Sequence, residues 1–144
     1  MSDVAKEILI QDLNGDLAGV LGSIIERLTY AAKTRGRHGR RLTEFFLSGI
    51  ASEQVHAQVL AKRIVALGGE PTTVPRAVPV ANTNREMVDA LLGSLRQAVE
   101  DLTEHAEEAE EHSDWAFAGE LEDMIREEKV EAARTERVLR DWRL

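Results

Sequence analysis

The sequence predicts an all-α protein: an antiparallel four-helix bundle with one long crossover between its second and third helices. Three observations carry this. Apolar residues recur at helical spacing through four long segments, about residues 4–33, 40–67, 84–112 and 115–142. All three prolines fall between Gly68 and Asn84, so residues 68–83 read as an extended connection. The other two connections are short, which makes the first and second helices, and the third and fourth, antiparallel neighbours, whereas the middle one is long enough to run back along the bundle. At 144 residues the chain has the length of one ordinary domain, and a single domain over 1–144 is expected.

The first helix carries Leu13, Leu17, Val20, Leu21, Ile24 and Leu28 on one face and ends at the hairpin of residues 34–39. The second carries Leu42, Phe46, Ile50, Ala57, Leu60 and Ile64, and Gly68-Gly69 with Pro71 just beyond stops it. Thr83 or Asn84 can cap the third helix, whose stripe is Val88, Leu92, Leu95, Val99, Leu102 and Ala106. Ser113 or Asp114 can cap the fourth. There Leu121, Ile125, Glu128, Ala132, Thr135, Leu139 and Trp142 alternate at spacings of four and three, a bundle seam.

Composition narrows the function classes. A formal net charge of −8 argues against a nucleic-acid surface, because phosphate binding relies on clustered Lys and Arg. The one basic cluster, Lys33 to Arg41, falls on the first hairpin and reads as a solvated loop. There is no cysteine, so disulfides, thiolate zinc sites and thiol catalysis are excluded. The N-terminus has charges at Asp3, Lys6 and Glu7 and no signal-peptide core, and no apolar run is read as approaching the roughly 18 residues of a membrane span. A cytoplasmic protein with no membrane partner is the expectation.

The informative residues break the apolar stripes. On a wheel of about 100° per residue, Glu53 is central on the second helix with His56 about 60° to one side. Glu128 is likewise central on the fourth helix, with Glu131 about 60° away, a second pair at i and i+3. Three carboxylates and one imidazole therefore point inward. Burying an unpaired carboxylate costs several kcal/mol, so the group needs a cation, protons held at raised pKa, or basic partners. No Lys or Arg lies centrally on a facing stripe at this level. Glu-x-x-His on bundle helices is a means of presenting oxygen and nitrogen to iron or manganese. The competing reading is a hydrogen-bonded cluster that only fixes helix register. His38, His105 and His112 read as solvent-side residues.

The run SEQVHAQVLAKRIVALGGEPT, Ser52 to Thr72, resembles the second helix and the start of the crossover of bacterioferritins and related ferritin-like proteins. Leu17–Ile24 resembles their first helix, and Asp114-Trp115 with Glu120–Glu131 resembles the fourth, so the likeness spans nearly the whole chain. The resemblance implies a ferritin-like bundle in which one Glu from each of helices one and three and a Glu-x-x-His from each of helices two and four hold two metals. Glu53 and His56 match one such pair. Glu128 matches the other glutamate, and Glu131 stands where the family has histidine. The two single glutamates are replaced: Val20 lies 33 residues before Glu53, and Leu95 lies 33 before Glu128. Glu26 and Glu100, about 180° and 140° from their stripe centres, are not placed to substitute.

The resemblance further implies no haem, because Gln54 occupies the position of the haem-binding methionine, and no storage shell built on a fifth helix. Gly15, Ala18, Gly19 and Gly22 lie opposite the first helix's stripe. Each glycine costs about 1 kcal/mol against Ala in a helix interior, so a backbone is expected to dock there, in a homodimer or higher homo-oligomer. The function expected is a ferritin-like protein with a degenerate di-iron site, metal-binding or structural and not an enzyme, with Glu53, His56, Glu128 and Glu131 as ligands to iron or manganese. The alternatives are an active di-iron ferroxidase or iron-storage protein, and a metal-free interaction module.

Overall fold

A computed structural model describes residues 1–144. It has no strands. The helices are α1 (Asp3–Lys33), α2 (Gly39–Ser48), α3 (Ile50–Ala66), α4 (Asn84–Glu111) and α5 (Trp115–Asp141). Helices α2 and α3 together form the second arm of the bundle, α4 packs along α5, and α1 packs along both α3 and α4. This is the ferritin-like arrangement expected, with one difference: the second arm breaks at Gly49.

The break has a local cause on the neighbouring helix. Arg27 of α1 is fully buried, and its guanidinium lies where a Cβ of residue 49 would stand. Its Nη1 donates to the carbonyl of Phe46 at 3.3 Å, taking an oxygen that a continuous helix would offer to Ile50. A helical stripe alone contains no sign of such an intrusion.

The ends follow their sequence signals. Thr83 caps α4 in a capping box with Glu86, and Asp114 caps α5 by accepting from the Phe117 amide. Gly68, at φ 87°, closes α3 in the left-handed region that only glycine enters freely.

The buried face of α1 turns away from the predicted stripe in its second half. Leu9, Leu13, Leu17 and Val20 enter the core as periodicity demands, but Leu28 is 50% exposed, while Ser23, Glu26 and Arg27 are buried. Each of these last two finds a charged partner, which offsets the cost of burial. By length and composition α1 is also apolar enough to cross a membrane, with a mean hydropathy of 1.3 over 18 residues, contrary to expectation. Here Leu9, Leu13, Leu17 and Val20 pack into the bundle, while Ile25 and Leu28 stay exposed.

The crossover explains much of the small-residue face. Arg76 donates its amide to the Ala18 carbonyl at 2.9 Å, and a Cβ on Gly22 would sit 2.6 Å from the Arg76 carbonyl oxygen. Asn14 grips the same strap at Glu70 and Thr72, and the Tyr30 hydroxyl donates to the Pro79 carbonyl at 2.6 Å. The backbone that approaches at Ala18 and Gly22 is therefore this chain's own, which corrects the expectation of a dimer contact at those two positions.

Two apolar clusters fill the ends of the bundle. One gathers Leu13, Leu17, Leu60, Ile64 and Leu121, the other Leu42, Phe46, Leu91, Leu95 and Val138. Glu53, His56, Glu128 and Arg27 belong to neither cluster and form a polar layer. Gly22→Ala is expected to destabilise the protein by about 1–3 kcal/mol, since the clash is with backbone. Gly93→Ala, where a Cβ meets nothing within 4 Å, is expected to stabilise by up to about 1 kcal/mol. Urea denaturation midpoints measure both.

Candidate metal centre

The structure brings three of the four sequence-predicted site residues together. Glu53 and His56 on α3 and Glu128 on α5 are 4%, 3% and 3% exposed. Each offers a ligand atom within 4.8 Å of the others. Nδ1 of His56 is 3.2 Å from Glu128 Oε1 and 3.6 Å from Glu53 Oε1. Neither contact has hydrogen-bond geometry, and Nδ1 is left as a buried nitrogen without a partner.

The other ring nitrogen is held from outside. Nε2 lies 2.5 Å from Glu127 Oε2, which also accepts from the Ser52 hydroxyl at 2.9 Å. A carboxylate only accepts, so the ring donates from Nε2 and turns Nδ1 inward. A carboxylate behind a histidine that faces two further carboxylates is the orientation metal-binding imidazoles use. Glu127 was not singled out from sequence because it lies off the buried stripe.

The triad holds protons tightly when no cation is there. Burial alone would lower the His56 pKa, but the carboxylates of Glu128, Glu53 and Glu127 raise it to about 10. Burial pushes Glu128 up to about 8, against the pull of His56. Burial also works to raise Glu53, yet its contacts with His56 and Glu128 hold it below the ordinary carboxylate range.

Glu131 does not join the triad. Arg27 Nη2 donates to its Oε1 at 3.3 Å, and Arg134 Nη1 to its Oε2 at 3.1 Å. No Lys or Arg lies centrally on a facing stripe, yet Arg27 of α1, about 20° from Val20 on the helical wheel, reaches this level from the stripe's edge. Val20 and Leu95 sit 8% and 1% exposed beside the triad and present only hydrocarbon.

Other ionisable groups depart from their expected places. Glu26 is fully buried, although its wheel position faced away from the stripe, because the crossover and α4 cover that side. Ser94 donates to its Oε2 at 3.2 Å and Arg76 to its Oε1 at 3.4 Å, so it is engaged away from the triad. Glu100 is exposed. His105, expected in solvent, has a side chain only 12% exposed, and its Nδ1 lies 2.5 Å from Asp16 Oδ2. That bond outweighs desolvation and raises the imidazole pKa.

Long antiparallel helices around a buried pocket of carboxylates and imidazole define a helical-bundle carboxylate protein. A ferritin-like domain model matches residues 10–144. The chain belongs to the ferritin-like family. A ferritin-like, diiron-carboxylate protein from Bacillus anthracis str. Ames is 36% identical, with a TM-score of 0.93 over 96% of this chain and 99% of that one. Two more distant structures share the fold. A Dps protein from Bacillus brevis is 19% identical, with a TM-score of 0.87 over 96% of this chain and 99% of that one. A dodecameric thioferritin, the bacterioferritin-related protein of Bacteroides fragilis, is 20% identical, with a TM-score of 0.84 over 94% and 86%. No curated protein sequence matches significantly.

His56 and Glu128 bind protons more tightly folded than unfolded. Their contribution is thus full below their ordinary values of 6.5 and 4.5 and is lost as pH rises through about 10 and about 8. Glu53 acts oppositely, its contribution fading at the acid end. The metal-free protein is expected to lose melting temperature between pH 7 and pH 10, and a divalent ion to raise it more at pH 9 than at pH 6, as thermal melts report. Glu131→Leu alone strands the fully buried Arg27 guanidinium and is expected to cost about 3–5 kcal/mol. Adding Arg27→Met should return most of that loss in denaturant titrations.

Proposed function

We propose that this ferritin-like protein binds one divalent metal ion per chain, iron or manganese, through Glu53, His56 and Glu128. The observation that carries this reading is the unpartnered His56 Nδ1, 97% buried with its residue, turned by Glu127 between two buried carboxylates. With the ring neutral, Nδ1 and two carboxylates are three acceptors facing one point, and a cation can take the place of the protons they otherwise hold. Two carboxylates and an imidazole suit iron and manganese, and the diiron-carboxylate protein from Bacillus anthracis favours iron.

Iron bound there would supply one-electron redox chemistry. The protein's own part is to fix the donors: α3 and α5 hold the carboxylates, Glu127 holds the ring, and Arg27 keeps Glu131 aside. A rapid di-iron oxidation is not favoured, because Val20 and Leu95 offer no donor for a second ion. We further propose a cytoplasmic homo-oligomer, a dimer or larger. Exposed Ile25, Leu28 and Leu47 leave apolar surface for self-association, and the thioferritin relative is a dodecamer.

Anaerobic calorimetric titration with Fe(II) or Mn(II) is expected to give one ion per chain. Glu53→Gln with Glu128→Gln is expected to abolish binding, and Glu131→Gln to change affinity less than threefold. Two ions per chain, or unchanged binding in the double variant, would sink the reading.

A further inference from the structure

The positions of the two missing family glutamates are not packed shut. Val20 and Leu95 line a cavity of about 340 Å³ between α1 and α4, whose innermost lining includes Glu53, His56 and Glu128. It reaches the surface at Gly15, Gly93 and Gln97, which are exposed. The glycines matter to its form, because side chains at Gly15, Gly19 and Gly93 would meet nothing within 4 Å and would occupy open space. Leu102 and Met124 complete an apolar wall. A cavity of about 150 Å³ holds a benzene molecule, so this one has room for an apolar body of roughly ten heavy atoms.

The charges around the cavity restrict what can enter. A divalent ion on Glu53, Glu128 and a neutral His56 is formally neutral, and all three donors come from α3 and α5. Any position left open on such an ion would therefore face the cavity, as in sites that bind exogenous ligands. An ammonium head group has no lone pair to give the ion. An anionic one adds negative charge to a neutral centre beside Asp101 in the lining. The one arginine there, Arg76, is already engaged by Glu26 Oε1 at 3.4 Å and by the Ala77 carbonyl at 3.0 Å. A neutral head group is left, and an sp2 nitrogen is the strong neutral donor to first-row metals.

We infer that the α1–α4 cavity takes a small neutral molecule, an apolar body bearing a nitrogen donor, which completes the coordination of the metal held by Glu53, His56 and Glu128. The inference rests on the metal reading above and extends it to a ligand class. Hydrocarbon at Val20 and Leu95 then has a role, since it replaces protein ligands with room for an external one.

The test uses the full chain loaded with Co(II), whose visible absorption reports changes in its ligands. Three probes share a phenyl body: 4-phenylimidazole as the neutral donor, benzoate as the anion and phenethylammonium as the cation. The neutral probe is expected to shift the cobalt bands saturably and to bind at least tenfold more tightly than either ion. Gly19→Leu and Gly93→Leu, which fill the cavity without touching the triad, are expected to weaken the neutral probe at least tenfold and to leave cobalt affinity within twofold. Cobalt binding with no spectral response to 4-phenylimidazole, or an equal or better response to benzoate or phenethylammonium, would overturn the ligand and leave the metal site standing. Failure to bind cobalt at all, by calorimetry, would remove the metal reading and the ligand with it.

Discussion

A buried guanidinium organises the middle of this bundle. Arg27 crosses from α1 to Glu131 on α5 and, on the way, takes the Phe46 carbonyl from the second arm. One side chain thus ties three helices at a single level. Gly49 is required where the guanidinium passes, and the second arm divides there into α2 and α3. Removing Glu131 from the pair costs far more than forming it returns, because the Arg27 guanidinium left behind is fully buried. The level of the polar layer is therefore set by this ion pair as much as by the residues that face each other across the site.

The layer separates two apolar clusters, and its sides differ. Towards α3 and α5 stand carboxylates and a ring oriented by Glu127; towards α1 and α4 stand Val20 and Leu95. Hydrocarbon on those helices can neither bind a cation nor repel an apolar molecule. Hydrocarbon at Val20 and Leu95 leaves space beside the triad. Glycines on both α1 and α4 keep that space open to the surface, where alanine or leucine would serve a helix better.

Helical periodicity made the fold legible: the crossover, the stops and the caps at Thr83 and Asp114 stand where their signals lie. It also placed Glu53, His56 and Glu128, because each is central or nearly so on a stripe that packs against other helices. What it could not place were residues whose burial depends on something other than the facing helices. Glu26 lies opposite the stripe of α1, and a wheel does not show that the crossover will cover it. Arg27, seven residues after Val20, lies at the edge of that stripe, and a wheel does not show the glycine in another arm on which its burial depends. Glu127 and His105 are reached by partners, Ser52 and Asp16, at no fixed sequence spacing from them.

Charge balance inside the bundle gives the argument for a cation its strength. Glu131 is answered by Arg27 and Arg134, Glu26 by Arg76 and the Ser94 hydroxyl, and Asp16 by His105. Each of these buried or half-buried acids has a donor fixed by another helix or by the crossover. Glu53 and Glu128 have between them only the Nδ1 face of His56, a single nitrogen shared by two carboxylates. Protons can fill the deficit, as the raised affinities of His56 and Glu128 show, but they do so at the expense of stability as pH rises. A divalent ion removes the deficit without that penalty. Within this interior the triad is where negative groups outnumber the positive ones built to meet them, and it lies at the inner end of a cavity open to the surface.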